Sequence, residues 1–190
     1  MIRIVAFSGS HRQGSYNQQL VKLAVAGAQA DGATVTVLNL SALALPILNP
    51  DLLTDGALPA PVLAFQQQLR TAHGLLIASP EYNGFFTPLL KNALDWASRR
   101  IDEQPSVFTG QYAAVMAASP GKLGGMRGLL PLRQLLTGLG VTVLAEQMTL
   151  PEAGQALTEQ GQLLDPALQR EAEALGAKLS RTLSALQVGS

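Results

Sequence analysis

The stretch Ile2-Arg3-Ile4-Val5-Ala6-Phe7-Ser8-Gly9-Ser10-His11-Arg12-Gln13-Gly14-Ser15-Tyr16-Asn17 decides the fold. Residues 2–8 are apolar almost without interruption, which predicts a strand buried on both faces rather than one alternating between core and water. The run stops at Ser8-Gly9-Ser10. From residue 15 the apolar positions Leu20, Leu23, Ala24, Gly27 and Ala28 recur at helical spacing as far as residue 30. A buried strand followed by a short polar loop and a helix is the opening unit of a parallel sheet.

The rest of the chain repeats that rhythm. Strands are predicted at residues 34–39, 74–79, 111–118 and, as a short last one, 142–146. Helices are predicted at 61–72, at 87–99 with Thr87 as N-cap and Pro88 in its first position, at 125–139 with Gly140 closing it, and from Asp165-Pro166 to about Leu186. Residues 41–57 are rich in Pro, Asn and Asp and are expected to form a long loop, and 147–164 an irregular segment. Right-handed crossovers place helices on both faces of such a sheet. The expectation is one α/β domain over residues 1–190, a doubly wound, five-stranded parallel sheet of order 2-1-3-4-5. Ligands of these sheets lie beyond the carboxyl ends of the strands where the strand order reverses. That puts the loops after the first and third strands across one crevice.

Composition narrows the chemistry. The chain of 190 residues has no cysteine, two histidines (His11 and His73) and 13 basic against 13 acidic side chains. Disulfides, thiolate nucleophiles and Cys- or multi-His metal sites are therefore excluded. A hydrophobic fraction of 47% suits a folded core and argues against disorder. Zero net charge offers no global field toward nucleic acid or an anionic membrane. No stretch approaches the ~18 apolar residues of a membrane span, and the N-terminal run is too short for a signal segment, so a soluble cytoplasmic protein is expected.

Gly9-Ser10-His11-Arg12-Gln13-Gly14-Ser15-Tyr16-Asn17 is a possible anion cradle. The first amides of a helix have no acceptor of their own, and the helix dipole adds about half a positive charge there. The Ser10 and Ser15 hydroxyls, the Asn17 amide and the Arg12 guanidinium add donors. The nucleotide P-loop is ruled out because Ser15 stands where it needs Lys, and G-x-G-x-x-G because residue 11 is His. An alternative stays open: Ser15-Tyr16-Asn17-Gln18 is also a capping box, which would make Ser15 purely structural.

The second motif is Pro80-Glu81-Tyr82-Asn83-Gly84-Phe85-Phe86-Thr87-Pro88, continuing as Leu90-Lys91-Asn92-Ala93-Leu94-Asp95-Trp96. Pro80 ends the strand, and Asn83-Gly84 is a turn dipeptide that frees backbone N–H groups. Tyr82, Phe85 and Phe86 place aromatics on a loop, where a planar heterocycle could lie against them. Equally, the aromatics could seal the helix onto the sheet, and Lys91 with Asp95 could be a weak i,i+4 surface pair.

Taken together, Gly9, Ser10, Arg12, Ser15 and Asn17, then Pro80, Glu81, Tyr82, Asn83, Leu90, Lys91, Asn92, Ala93, Leu94, Asp95 and Trp96, resemble the two motifs of the NADPH-dependent FMN reductase family, which includes azo-, chromate- and quinone-reducing flavoproteins. Ser119-Pro120-Gly121-Lys122-Leu123-Gly124-Gly125-Met126-Arg127 is similar to that family's loop after the fourth strand, and the resemblance spans residues 1 to about 146. It implies a flavodoxin-like fold and one FMN per subunit. Ser10, Arg12, Ser15, Tyr16 and Asn17 would surround the phosphate. Pro80, Glu81, Tyr82, Asn83 and Gly84 would face the isoalloxazine ring, largely through the backbone, with Ser119 and Gly121 on its far side. NADPH or NADH would be the co-substrate, and a flavin, quinone, azo compound or metal oxyanion the acceptor in ping-pong turnover. No metal and no side-chain acid or base is implied. Dimers or tetramers of identical chains would pair the helices at 88–99 and 125–139, with Trp96 and Met126 as possible interface residues. Phe85 departs from the Ser frequent in relatives and would reshape the acceptor pocket.

Three other readings are weaker. A flavodoxin-type electron carrier, the alternative, is expected to be strongly acidic, and this chain is not. A phosphoacceptor receiver needs acidic residues where Ser8-Gly9-Ser10 and Ser79-Pro80 stand. A Ser-His-Asp hydrolase lacks G-x-S-x-G.

Overall fold

The computed structural model describes residues 1–53, 57–100 and 104–188. Its main sheet carries β1 (Arg3–Ser8), β2 (Thr34–Leu38), β3 (Gly74–Ala78), β6 (Tyr112–Ala118) and β7 (Thr142–Leu150) in the order β2-β1-β3-β6-β7, every pair parallel. A small antiparallel pair, β4 (Glu81–Tyr82) and β5 (Phe85–Phe86), stands apart from it. The helices are α1 (Tyr16–Ala30), α2 (Ala60–Thr71), α3 (Pro88–Ser98), α4 (Met126–Gly138), the short α5 (Ala153–Ala156) and α6 (Pro166–Val188). This is the doubly wound, flavodoxin-like α/β arrangement, and its reversal of strand order lies between β1 and β3.

The unbroken apolar run of β1 has a direct cause. Ile4 and Ala6 join the core shared with Leu20 and Ala24 of α1 and Ala172 and Leu179 of α6. Val5 and Phe7 join the opposite core, with Phe65 of α2, Leu90 of α3 and Leu132 of α4. Both faces are therefore covered, and each burial removes apolar surface from water at about 25 cal/mol per Å². α1 and α6 cross so closely that a Cβ on Gly27 would collide with the Glu173 carbonyl, and one on Gly176 with the Ala24 carbonyl.

Four expectations are corrected. The last strand does not stop at residue 146: β7 continues to Leu150, and α5 follows. The pairing steps from Ala113↔Val143 to Val115↔Gln147, so β7 bulges and its in–out alternation breaks just where the strand was expected to end. The segment after β3 is not a plain βα loop but the β4–β5 hairpin, turned through Asn83 (φ 53°) and Gly84 (φ 80°). Two successive positive φ values are what a two-residue I′ turn requires, which explains Asn-Gly here. Trp96 is fully buried within the chain rather than at an interface, clustered with Leu58 and Val62. Its indole N–H donates to the Pro46 carbonyl at 2.7 Å. Asn92 donates to the same carbonyl and accepts from Leu48 N–H, so residues 46–48 are strapped onto α3. Fourth, the segment expected as loop at 41–57 holds a 3-10 turn, Pro50–Leu52; residues 54–56 of it lie outside the described ones. No described helix is long and apolar enough to cross a membrane.

Candidate functional site

β1 delivers Ser8 to the carboxyl edge of the sheet, and the chain turns through residues 9–15 into α1. Gly9 is wedged between the two motif loops: a Cβ there would lie 2.7 Å from Thr87 Oγ1 and 2.9 Å from Leu90 Cβ. Thr87 Oγ1 donates to the Gly9 carbonyl at 2.6 Å and accepts from Leu90 N–H, capping α3 while holding the first loop. Thr87 and Pro88 thus occupy the expected cap positions.

The first backbone bond of α1 runs from Gln19 N–H to the Ser15 carbonyl, and the amides of Tyr16, Asn17 and Gln18 have no backbone acceptor among the described residues. The Ser15 hydroxyl makes no capping bond, and the Gln18 amide donates to the Ser10 carbonyl instead of closing a capping box. The capping box is therefore not formed, and the Ser15 hydroxyl has no hydrogen-bond partner among the described residues. Ser10 Oγ accepts from Arg12 N–H at 3.3 Å. Arg12 is exposed, stacks its guanidinium 5.3 Å from the Tyr16 ring centroid, and has no carboxylate partner among the described residues. His11 is exposed and shares a 2.9 Å bond with the Ser41 hydroxyl.

Ser10, Arg12, Ser15, Tyr16, Asn17, Pro80, Glu81, Tyr82 and Ser119 line one cavity of about 130 Å³, joined by Ala118 and Pro120. Three loops from three parts of the sequence thus meet at the strand-order reversal. Asn83, Gly84 and Gly121 stand beside this cavity rather than in its wall. Gly121 accepts from Glu152 N–H and Gly124 N–H, shaping the third loop.

Two side chains do work that the motifs did not announce. The Asn17 amide is engaged with the backbone of Ala118 in both directions, which leaves one Nδ2 hydrogen and the backbone N–H for a ligand. The Glu81 carboxylate turns away toward α4, where it meets Arg127 and Gly128. The opposite charges of Glu81 and Arg127, each inside a motif, were the one sequence signal for that contact. Among the described residues no group of His, Asp and Glu could hold a metal.

The residues fit a phosphate-bearing planar cofactor: at one end first-turn amides without backbone acceptors, two serine hydroxyls and a guanidinium without a carboxylate partner among the described residues, at the other a turn with exposed aromatics. The fold and site thus define a flavin-type α/β oxidoreductase. Comparison gives the family: the model for NADPH-dependent FMN reductase matches residues 2–155, and the chain belongs to that family, an FMN enzyme with NAD(P)H as co-substrate. It is 40% identical over 165 residues to an NAD(P)H-dependent FMN reductase of Pseudomonas aeruginosa, covering 86% of this chain and 85% of that one. It is 34% identical over 147 residues to the quinone reductase of Escherichia coli K12, covering 75% and 73%. In fold it resembles the flavoenzyme NAD(P)H:(acceptor) oxidoreductase of Paracoccus denitrificans, with a TM-score of 0.83, 24% identity and 97% and 98% coverage.

Proposed function

We propose that residues 1–190 form one FMN-binding domain that passes reducing equivalents from NADPH or NADH to a flavin, quinone, azo or metal-oxyanion acceptor, donor and acceptor using the same space in turn. The observation that carries this reading is the convergence of the first-turn amides of α1, the Ser10 and Ser15 hydroxyls and Arg12 beside the Tyr82 hairpin.

The chain's own residues divide the labour. The unpaired amides of Tyr16 and Asn17, with Ser10, Ser15 and Arg12, hold the phosphate by charge-assisted hydrogen bonds of about 1.5–3 kcal/mol each. Asn17 keeps that cradle in register with the loop at Ser119 and Gly121. Pro80, Glu81, Tyr82, Asn83 and Gly84 present backbone groups to the ring edge, preorganised so that no reorganisation is needed when charge develops there. Tyr82 and Phe85, exposed and paired across the hairpin, form the rim that an acceptor passes. The bound flavin supplies two-electron redox chemistry, so no side-chain acid or base is required.

Identical chains associate as dimers or tetramers through the α4 face, a reading supported by the exposed Met126 and Leu130, one turn apart on α4, and by Leu123 beside them. Freedom from cysteine suits a reducing cytoplasm, the location we propose. Purified protein titrated with FMN, then mixed with NAD(P)H and a quinone, tests the whole reading. Saturable flavin binding with parallel initial-rate plots is expected. Absence of flavin binding overturns it, and intersecting plots overturn the alternating use of one space.

A further inference from the structure

We propose that Glu81 is a positioning residue: its side chain sets the placement of the ring-facing hairpin by locking it to the N-terminus of α4. The inference rests on the flavin reading above.

Glu81 would pass from sequence as a solvated loop carboxylate, yet its side chain is only 7% exposed, against 64% for its partner Arg127. Oε2 accepts from Arg127 N–H at 3.0 Å, a first-turn amide with no backbone acceptor among the described residues, and at 3.4 Å from Gly128 N–H, which it shares with the Gly125 carbonyl. Oε1 accepts from Arg127 Nε at 2.7 Å, and Nη2 reaches the same oxygen, so the guanidinium closes on one carboxylate oxygen while the other meets the helix. One carboxylate thus answers the helix dipole and an arginine together.

The fit of the backbones gives a second observation. A Cβ on Gly128 would lie 3.2 Å from the Phe85 carbonyl oxygen and 3.4 Å from Glu81 Cβ. The hairpin therefore rests directly on the first turn of α4, and Gly128 leaves it room. β4 and β5 are each two residues long, too short to hold a position alone. Glu81 is paired with Phe86 in the ladder, and the next pair is Tyr82 with Phe85, so whatever fixes Glu81 fixes the turn at Asn83-Gly84. The carboxylate faces α4, while the peptide groups that follow it are left to face the ring.

Four variants test this: Glu81→Gln, Glu81→Ala, Gly128→Ala, and Leu183→Ala as a destabilised control. Leu183 is buried near Gly74, at the opposite end of the sheet from the site. In protein freed of FMN, Glu81→Gln should speed amide hydrogen exchange at residues 82–86. On FMN titration it should weaken binding about tenfold and alter the visible circular dichroism of the bound flavin, because misplaced positioning groups are costly. Glu81→Ala should do more, and Gly128→Ala should reproduce the spectral change by crowding Phe85. Leu183→Ala should lower Tm and leave FMN affinity and dichroism as in the parent. If Glu81→Gln does not fold, Gly128→Ala carries the test with the same readouts. Unchanged exchange, or faster exchange with FMN affinity and dichroism unchanged, overturns the proposal. Loss of FMN binding in the parent protein itself would instead overturn the flavin reading, and that arm is read separately.

Discussion

The side-chain amide of Asn17 and the backbone of Ala118 exchange two hydrogen bonds, Nδ2–H to the Ala118 carbonyl at 2.7 Å and Ala118 N–H to Oδ1 at 2.9 Å. The two residues are 101 positions apart, and both groups are buried. One amide therefore ties the second position of α1 to the last position of β6. The loop before α1 and the loop beginning at Ser119 are thereby tied together.

Asn17→Ala should be costly for that reason. It leaves a buried N–H and a buried C=O at Ala118 without partners, each of which costs about 1–3 kcal/mol. A loss of about 3 kcal/mol is expected in urea unfolding, together with weaker FMN binding. Asn17→Ala with parental stability would show that water replaces the amide.

Arg12→Ala should behave oppositely. Arg12 is exposed, lies over Tyr16 and has no carboxylate partner among the described residues, so Tm should stay within about 2 °C of the parent. FMN affinity should fall roughly tenfold, and more steeply at low salt, as the loss of a charge-assisted contact predicts. Flavin fluorescence quenching at two ionic strengths measures both effects.

Gly27→Ala and Gly176→Ala test the crossing of α1 and α6. In a free helix Ala is favoured over Gly by about 1 kcal/mol. Here each added methyl would meet a carbonyl of the facing helix, so both variants should lose stability by about 2 kcal/mol or more despite the better propensity. A rise in Tm for either would mean that the helices separate at little cost.

His73 makes a pH prediction. Burial first, then the positive charges of Arg3 and the N-terminus, lower its pKa below the ordinary 6.5, while Nδ1 accepts from Arg3 N–H at 3.0 Å. The neutral form is thus the native one. As pH falls below about 6.5 the unfolded chain takes up a proton that the folded chain resists, so stability rises with pH in that window. His73's contribution is full above 6.5 and is lost as pH drops through the folded value. Urea midpoints at pH 5 and pH 8 should differ less in His73→Gln than in the parent. An equal difference would remove His73 from the account.

Much of this was legible residue by residue. Apolar runs at 2–8 and 74–79, bounded by turn residues, read as strands covered twice, and Thr87-Pro88 ahead of a helical pattern reads as a helix start. The order of motifs around Arg12, Asn83 and Ser119 pointed to one crevice. What escaped were features made by contact between distant segments. The bulge in β7 breaks its own alternation and becomes visible only against β6. Trp96 looks the same in sequence whether it meets a partner chain or the strap at Pro46.

The sequence by itself determined the alternation of strands and helices, the absence of thiol chemistry, and the lack of any global field for anions in a chain of zero net charge. Those are properties of composition and short-range periodicity, set by neighbours within a few residues. Only the tertiary structure decided what Asn17 and Glu81 do with their polar atoms, because hydrogen-bond partners are chosen by distance in space. Asn17 turned to Ala118 and Glu81 to Arg127, since a buried amide and a nearly buried carboxylate must be satisfied by whatever the fold brings within reach.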